Sequence, residues 1–337
     1  MGAIATKLIY NVGIMFIMMI PGIILKRYRF IGDGFGKGLS NLVLYIAQPA
    51  LIFLAYLRDF DSAVLGNIFL VLIFSIVAHI VFAMVALKTY GRESDGRRRM
   101  LRFATVFSNA AFMGIPLVEK VLGADALIYA SVYNITFNLF LWSFGVYVCT
   151  EDGDEDGDGI TDGDVLTDYH EVKRNNPLFK SLRTAILHPV TIAALIGLVF
   201  FFLPINGYVP ELVIESLTHL KGLVIPLSMM VIGLRLSDID FHGILKEKSM
   251  YLFLILRHAA LPVLVYVIMK IMTLVGISIS TEVMLVILMM ASAPAASSAT
   301  MFAERYDCDA AYVSKLVTVS TLLSILTMPL ITMLAYL

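Results

Sequence analysis

Apolar residues fill ten stretches of this chain, at 6–25, 38–57, 63–87, 101–121, 126–149, 188–204, 211–235, 249–272, 283–303 and 314–336, with polar residues crowded between them. A helix rises 1.5 Å per residue, so each stretch approaches the ~20 residues that cross a ~30 Å hydrocarbon core. The pattern predicts an all-α integral membrane protein with ten transmembrane helices. Two spans are interrupted by small, polar, proline-containing runs: Ser108-Asn109-Ala110-Ala111-Phe112-Met113-Gly114-Ile115-Pro116 in the fourth and Ala291-Ser292-Ala293-Pro294-Ala295-Ala296-Ser297-Ser298 in the ninth. A broken helix at membrane depth leaves backbone groups without internal partners, which hydrocarbon tolerates only where protein, water or a ligand satisfies them. Breaks in matching places of the two halves therefore predict a binding site.

The first stretch is followed by Lys26-Arg27-Tyr28-Arg29 and carries no small-residue cleavage site, so it reads as a retained span. Lysine and arginine concentrate in alternate loops, around 26–37, 88–102, 173–183, 235–248 and 305–315. The positive-inside rule then places those loops in the cytoplasm and both termini outside, in the plasma membrane. Five spans per half put the second half in the bilayer upside down relative to the first, so similar halves form an inverted repeat. Glu119-Lys120 and Asp125-Ala126 after the fourth span match Glu304-Arg305 and Asp309-Ala310 after the ninth, and Pro49 and Pro226 recur in the second and seventh. The expected organisation is a first five-helix repeat over 1–150, an acidic cytoplasmic linker over 151–187 and a second repeat over 188–337.

Composition agrees: 59% hydrophobic, 15% charged and a mean hydropathy of +0.86 exclude an ordinary soluble domain. Nucleic acid binding has no support in a net charge of -1. Cys149 and Cys308 form no disulfide framework and are placed near the cytoplasmic face. No phosphate-binding loop, nucleophile–base pair or His-Glu-x-x-His spacing is present, which speaks against ATP-driven transport, membrane enzymology and any cofactor. In the linker, Asp154, Asp156, Asp158 and Asp162 alternate with glycine as in acidic calcium-binding loops. Without flanking EF-hand helices, a solvated charge run is the simpler reading.

The broken spans carry a family resemblance. Asn109 followed by Met113-Gly114-Ile115-Pro116-Leu117, Pro294 followed by Phe302-Ala303 and Tyr306, the run Leu39-Ser40-Asn41-Leu42-Val43-Leu44-Tyr45 through Pro49, and Arg257 with Pro262 resemble the auxin efflux carrier family, which includes plant PIN carriers and bacterial malate or malonate permeases. The resemblance implies two inverted five-helix repeats with broken crossover helices 4 and 9, as in sodium–proton antiporters and bile-acid symporters. It also implies scaffold and transport domains, an elevator-like motion, a small organic anion as substrate and a homodimer in the lipid bilayer. The family's substrate-coordinating asparagine carries over to Asn109 and its second crossover proline to Pro294. The long central loop of the plant carriers is missing, which favours a malate-like carboxylate over auxin.

The residues suit that chemistry. Half-helix N-termini present unpaired N–H groups and a positive dipole end to a carboxylate without a buried cation. Asn109 adds an amide donor, and Ser108, Ser292, Ser297, Ser298 and Thr300 add hydroxyls that also serve helix packing. Gln48, beside Pro49, is either a ligand contact or an interhelical hydrogen bond. Arg257 is either an anion-attracting cation on the path or an arginine that snorkels to the inner surface or ties two helices together. His79 is either a proton-coupling group or a packed neutral ring. Acids within spans are scarce, so a uniporter or exchanger driven by the anion's gradient and the membrane potential, ~2.3 kcal/mol per charge per 100 mV, is expected over strong cation coupling. Two other classes stand beside the transporter: a membrane sensor that binds without translocating, and a channel, which would need a continuous polar stripe.

Overall fold

The structure is a computed structural model that describes residues 2–32, 34–150, 183–203, 206–237 and 247–337. The helical stretches are α1 (Thr6–Arg27), α2 (Phe35–Tyr56), α3 (Ser62–Lys88), α4 (Asp95–Val106), α5 (Ile115–Leu122), α6 (Leu127–Thr150), α7 (Pro189–Phe202), α8 (Glu211–Leu236), α9 (Lys248–Leu274), α10 (Thr281–Ser292), α11 (Ser298–Arg305) and α12 (Ala310–Tyr336). Seven of these, α1, α2, α3, α6, α8, α9 and α12, are long and apolar enough to cross a membrane, and α7 and α10 are shorter apolar helices. The carboxylates Asp154, Asp156, Asp158 and Asp162 lie outside the described residues.

Local sequence sets the helix starts. The Asp61 carboxylate accepts the Ala63 N–H at 2.7 Å ahead of α3. Ser280 Oγ accepts the Val283 N–H at 3.3 Å ahead of α10, and Asp309 accepts the Tyr312 N–H at 3.0 Å ahead of α12. Each satisfies a donor that the first turn leaves open. The fourth span begins earlier than its apolar run: the arginine-rich turn from Asp95 is helical because Asp95 pairs with Arg98 and Arg99. Arg97 bridges Asp309 at 2.9 Å and Glu247 at 3.2 Å, tying α4 to the starts of α12 and α9.

Three prolines explain three irregular turns. A proline has no N–H to donate and its ring crowds the carbonyl four residues back. For Pro49, Pro116 and Pro262 that carbonyl belongs to Tyr45, Phe112 and His258, and each of these sits in the middle of a π-helical turn: Val43–Ala47, Ala110–Gly114 and Leu256–Ala260. The wider turn makes room for the ring, so α2 and α9 continue through their prolines.

Large aliphatic and aromatic side chains such as Ile17, Phe69, Ile73, Val199 and Leu326 face outward, as lipid contact requires. Inside, small residues bring backbones together. α1 crosses α8 so closely that a Cβ on Gly22 would lie 2.3 Å from the Met230 carbonyl oxygen, and one on Gly233 would lie 2.0 Å from that of Met19. α2 meets α7 in the same way, with Gly197 pressed on Tyr56. The two polar runs do break their helices. The chain leaves α4 at Val106 and re-forms helix from Ala110. It leaves α10 at Ser292 and resumes at Ser298.

Candidate functional site

The two breaks meet. Ser108 and Ala295 form an antiparallel bridge, in which the Asn109 N–H donates to the Pro294 carbonyl at 2.6 Å and the Ala296 N–H to the Phe107 carbonyl at 2.9 Å. Each break supplies backbone partners that the other lacks, which is how irregular backbone survives inside a bundle. A third amide, Ala295 N–H, donates to Ser320 Oγ of α12 at 2.9 Å. Ser320 sits 2.8 Å from His258 Nε2, and His258 Nδ1 lies 2.9 Å from Thr327 Oγ1. Thr327 gives its hydroxyl proton to the Leu323 carbonyl at 3.2 Å, so a neutral imidazole donates to it through Nδ1–H and accepts the Ser320 hydroxyl proton at Nε2.

On one side of the bridge, the last carbonyls of α4 and α10 converge on Arg257. Its Nε donates to Ala293 O at 3.1 Å, its Nη1 to Thr105 O and Val106 O at 3.1 and 3.4 Å, and its Nη2 to Ala291 O and Ala293 O at 2.6 and 2.8 Å. The residue is 0% exposed and the guanidinium lies 5.5 Å from the centre of the Phe82 ring. Arg257 is thus a tie between two broken helices and does not line the cavity described next.

On the other side opens a cavity of about 590 Å³. Asn109, Gln48, Ser108, Ser297 and Ser298 line it, and α6 contributes Asn134, Asn138 and Trp142. Asn109 donates from Nδ2 to Ser297 Oγ at 3.2 Å, reaching across from the first break to the second. Gln48 Nε2 donates to Ala111 O at 2.6 Å, tying α2 to the π turn. No side chain caps the first turn of α11, although the Ala299 N–H is held by the Ala296 carbonyl at 3.0 Å, and this positive helix end borders the cavity through Ser297, Ser298 and Thr300. Arg235, at the end of α8, donates to the Ser297 carbonyl and, at 3.2 Å, to Thr300 Oγ1. Gln48 Oε1, Asn134 Oδ1 and Trp142 Nε1, on residues of the cavity wall, are buried without a protein partner, a costly arrangement.

Lys26, Lys37 and Arg235 line the cavity against a single acid, Glu304, among the described residues. Lys26 ends α1, so the cavity lies toward the end of the bundle that carries the basic loops. At the opposite end Lys7, at the start of α1, donates to Val121 O of α5 at 2.6 Å, and Lys221 pairs with Glu119 at 2.9 Å, tying α5 to α1 and α8.

Of the residues singled out in the sequence, the structure brings Asn109, Ser108, Gln48, Ser297 and Ser298 to the cavity wall. Pro294 serves through its carbonyl. Met113, Gly114, Pro116 and Ser292 are buried behind the wall, where Gly114 leaves room for the Met290 sulfur. His79 lies apart, its Nδ1 on Ser75 O at 2.7 Å and its ring stacked 5.0 Å from Phe140. Cys149 and Cys308 are free, and burial pushes the Cys308 thiol up. Reading the sequence missed Asn134, Asn138 and Trp142, although their four-residue spacing on an apolar helix was a visible signal. It counted Arg235 only as a loop charge.

An apolar helical bundle holding a polar, cation-lined cavity where two interrupted helices meet is the architecture of a multi-pass membrane protein. Comparison of the sequence with known proteins gives the same answer: residues 8–332 match the family described as membrane transport protein, and the chain belongs to it. This is the auxin efflux carrier family that the motifs around Asn109 and Pro294 resemble. An uncharacterized transporter of Methanocaldococcus jannaschii is 25% identical over 93% of this chain and 94% of its own length. Another, of Methanothermobacter thermautotrophicus, is 24% identical over 93% and 94%.

Proposed function

We propose that this protein is a secondary transporter that moves a small organic anion, a malate-like or auxin-like mono- or dicarboxylate, across the plasma membrane. The observation that carries this reading is the convergence of Arg235, the uncapped N-terminus of α11 and the Asn109 amide on one cavity. A cation beside a helix N-terminus is unfavourable by itself, since both are positive. An anion between them relieves that repulsion and accepts from the donors at once. The volume, about 590 Å³, is within the range of small-molecule sites.

An elevator mechanism fits the packing. α1, α2, α7 and α8 form a frame through their glycine contacts, while α3 to α6 and α9 to α12 pack around the breaks. The frame pairs α1 with α8 and α2 with α7, which is the exchange expected of two inverted five-helix repeats with crossover helices 4 and 9. Reconstitution into liposomes tests the reading. Labelled carboxylate is expected to show saturable uptake and counterflow, and the Asn109→Ala variant is expected to lose both. Binding without flux would favour a sensor, flux without counterflow a channel, and unchanged uptake by the variant would remove Asn109 from the site.

A further inference from the structure

We propose that the carbonyl cluster on the closed side of the breaks is a monovalent-cation site with Arg257 as its permanent occupant. The protein then needs no free sodium or potassium ion there, and acquires a use for one when the guanidinium is removed. Four backbone oxygens, of Thr105, Val106, Ala291 and Ala293, face the guanidinium at 2.6 to 3.4 Å. Carbonyl oxygens from unwound backbone and half-helix C-terminal ends are the ligands by which membrane proteins hold bare alkali cations.

The charge balance points the same way. Each helix C-terminus carries about half a negative charge, so α4 and α10 together present roughly one, which one guanidinium offsets. Among the described residues Arg257 has no carboxylate partner, and its five hydrogen bonds to the cluster equal the number of N–H donors a guanidinium owns. A cation with no acid beside it, 0% exposed and fully engaged by carbonyls, behaves as a bound ion tethered to α9. The π turn before Pro262 supplies that tether, and its next residue, His258, holds the Ala295 amide of the same break through Ser320. Arg257 is accordingly a positioning residue: it sets the two breaks against each other and leaves the solute to the other side.

The test uses the purified full-length protein and reads thermal unfolding. Arg257→Ala is expected to lower the midpoint. Millimolar guanidinium, and sodium or potassium at higher concentration, are expected to raise it again by several degrees through mass action, while urea, the neutral isostere, and choline do not. Equal rescue by urea, or no rescue by any cation, would overturn the proposal. If Arg257→Ala yields no folded protein, Arg257→Lys is expected to fold and Arg257→Met to fail, because only lysine keeps the charge; equal behaviour of the two would count against it. Wild-type carboxylate uptake is expected to be the same in sodium, potassium and choline media, and a tenfold drop in choline would refute a self-supplied cation. The flux measurement rests on the transporter reading, whereas the thermal measurements do not. Absence of any flux would therefore fail that reading and leave this one to be decided by unfolding.

Discussion

The two sides of the paired breaks are built from the same material and finished in opposite ways. On the Arg257 side, the negative ends of α4 and α10 meet a buried guanidinium, and the chain completes the site with its own atoms. On the Asn109 side, a positive helix end and Arg235, Lys26 and Lys37 border a cavity, and buried polar atoms of Gln48, Asn134 and Trp142 have no protein partner. An interrupted helix creates two charged ends, and a protein that satisfies one internally leaves the other to select a ligand of opposite sign. Polarity, more than shape, assigns the two roles.

Breaking the closed side has the greatest consequence. Arg257→Met leaves four buried carbonyls facing an apolar side chain, and each one left without a partner costs about 1–3 kcal/mol. Loss of the folded fraction in size-exclusion chromatography checks it, and a variant as stable as the parent would erase the distinction between the sides. Asn109→Ala acts on the open side, where a hydrogen bond to a charged ligand contributes about 1.5–3 kcal/mol. Transport assays are expected to show KM raised ~10- to 100-fold with the unfolding midpoint nearly unchanged. Arg235→Gln removes a half-buried cation and is expected to raise KM about tenfold, ~1.4 kcal/mol, more for a dicarboxylate than for a monocarboxylate. Lys37→Gln, nearer the mouth, is expected to slow uptake only about twofold at low ionic strength. That effect should vanish in 1 M salt, where screening acts over ~3 Å.

Much of this was legible in the sequence, and the rest was hidden for physical reasons. Pro116 and Pro294 among small polar residues announced both breaks, because nothing else in an apolar span has cause to interrupt it. Asn109 stood out as an amide in the first break, and its contact with Ser297 follows from the meeting of the two. Prolines at 49, 116 and 262 located the π turns in retrospect, through the carbonyl four residues earlier. What one-dimensional reading could not give was which side of the breaks each long side chain reaches. Arg257 lies well inside its span and Arg235 at the end of another, so the sequence offered Arg257 both as an anion's partner and as a structural tie, and Arg235 only as a loop charge. The structure places Arg257 on the carbonyl ends and Arg235 at the cavity, a difference set entirely by long-range packing. The acidic segment with Asp154 and Asp158 lies beyond the described residues.

Locating a bound bromo-substituted dicarboxylate by its anomalous scattering would test the assignment of the two sides most directly. The bromine-labelled anion is expected between Asn109, Ser297 and Arg235, with the Arg257 guanidinium still on its four carbonyls. A carboxylate found against Arg257, or an anion bound only at the protein surface while the cavity holds none, would contradict it.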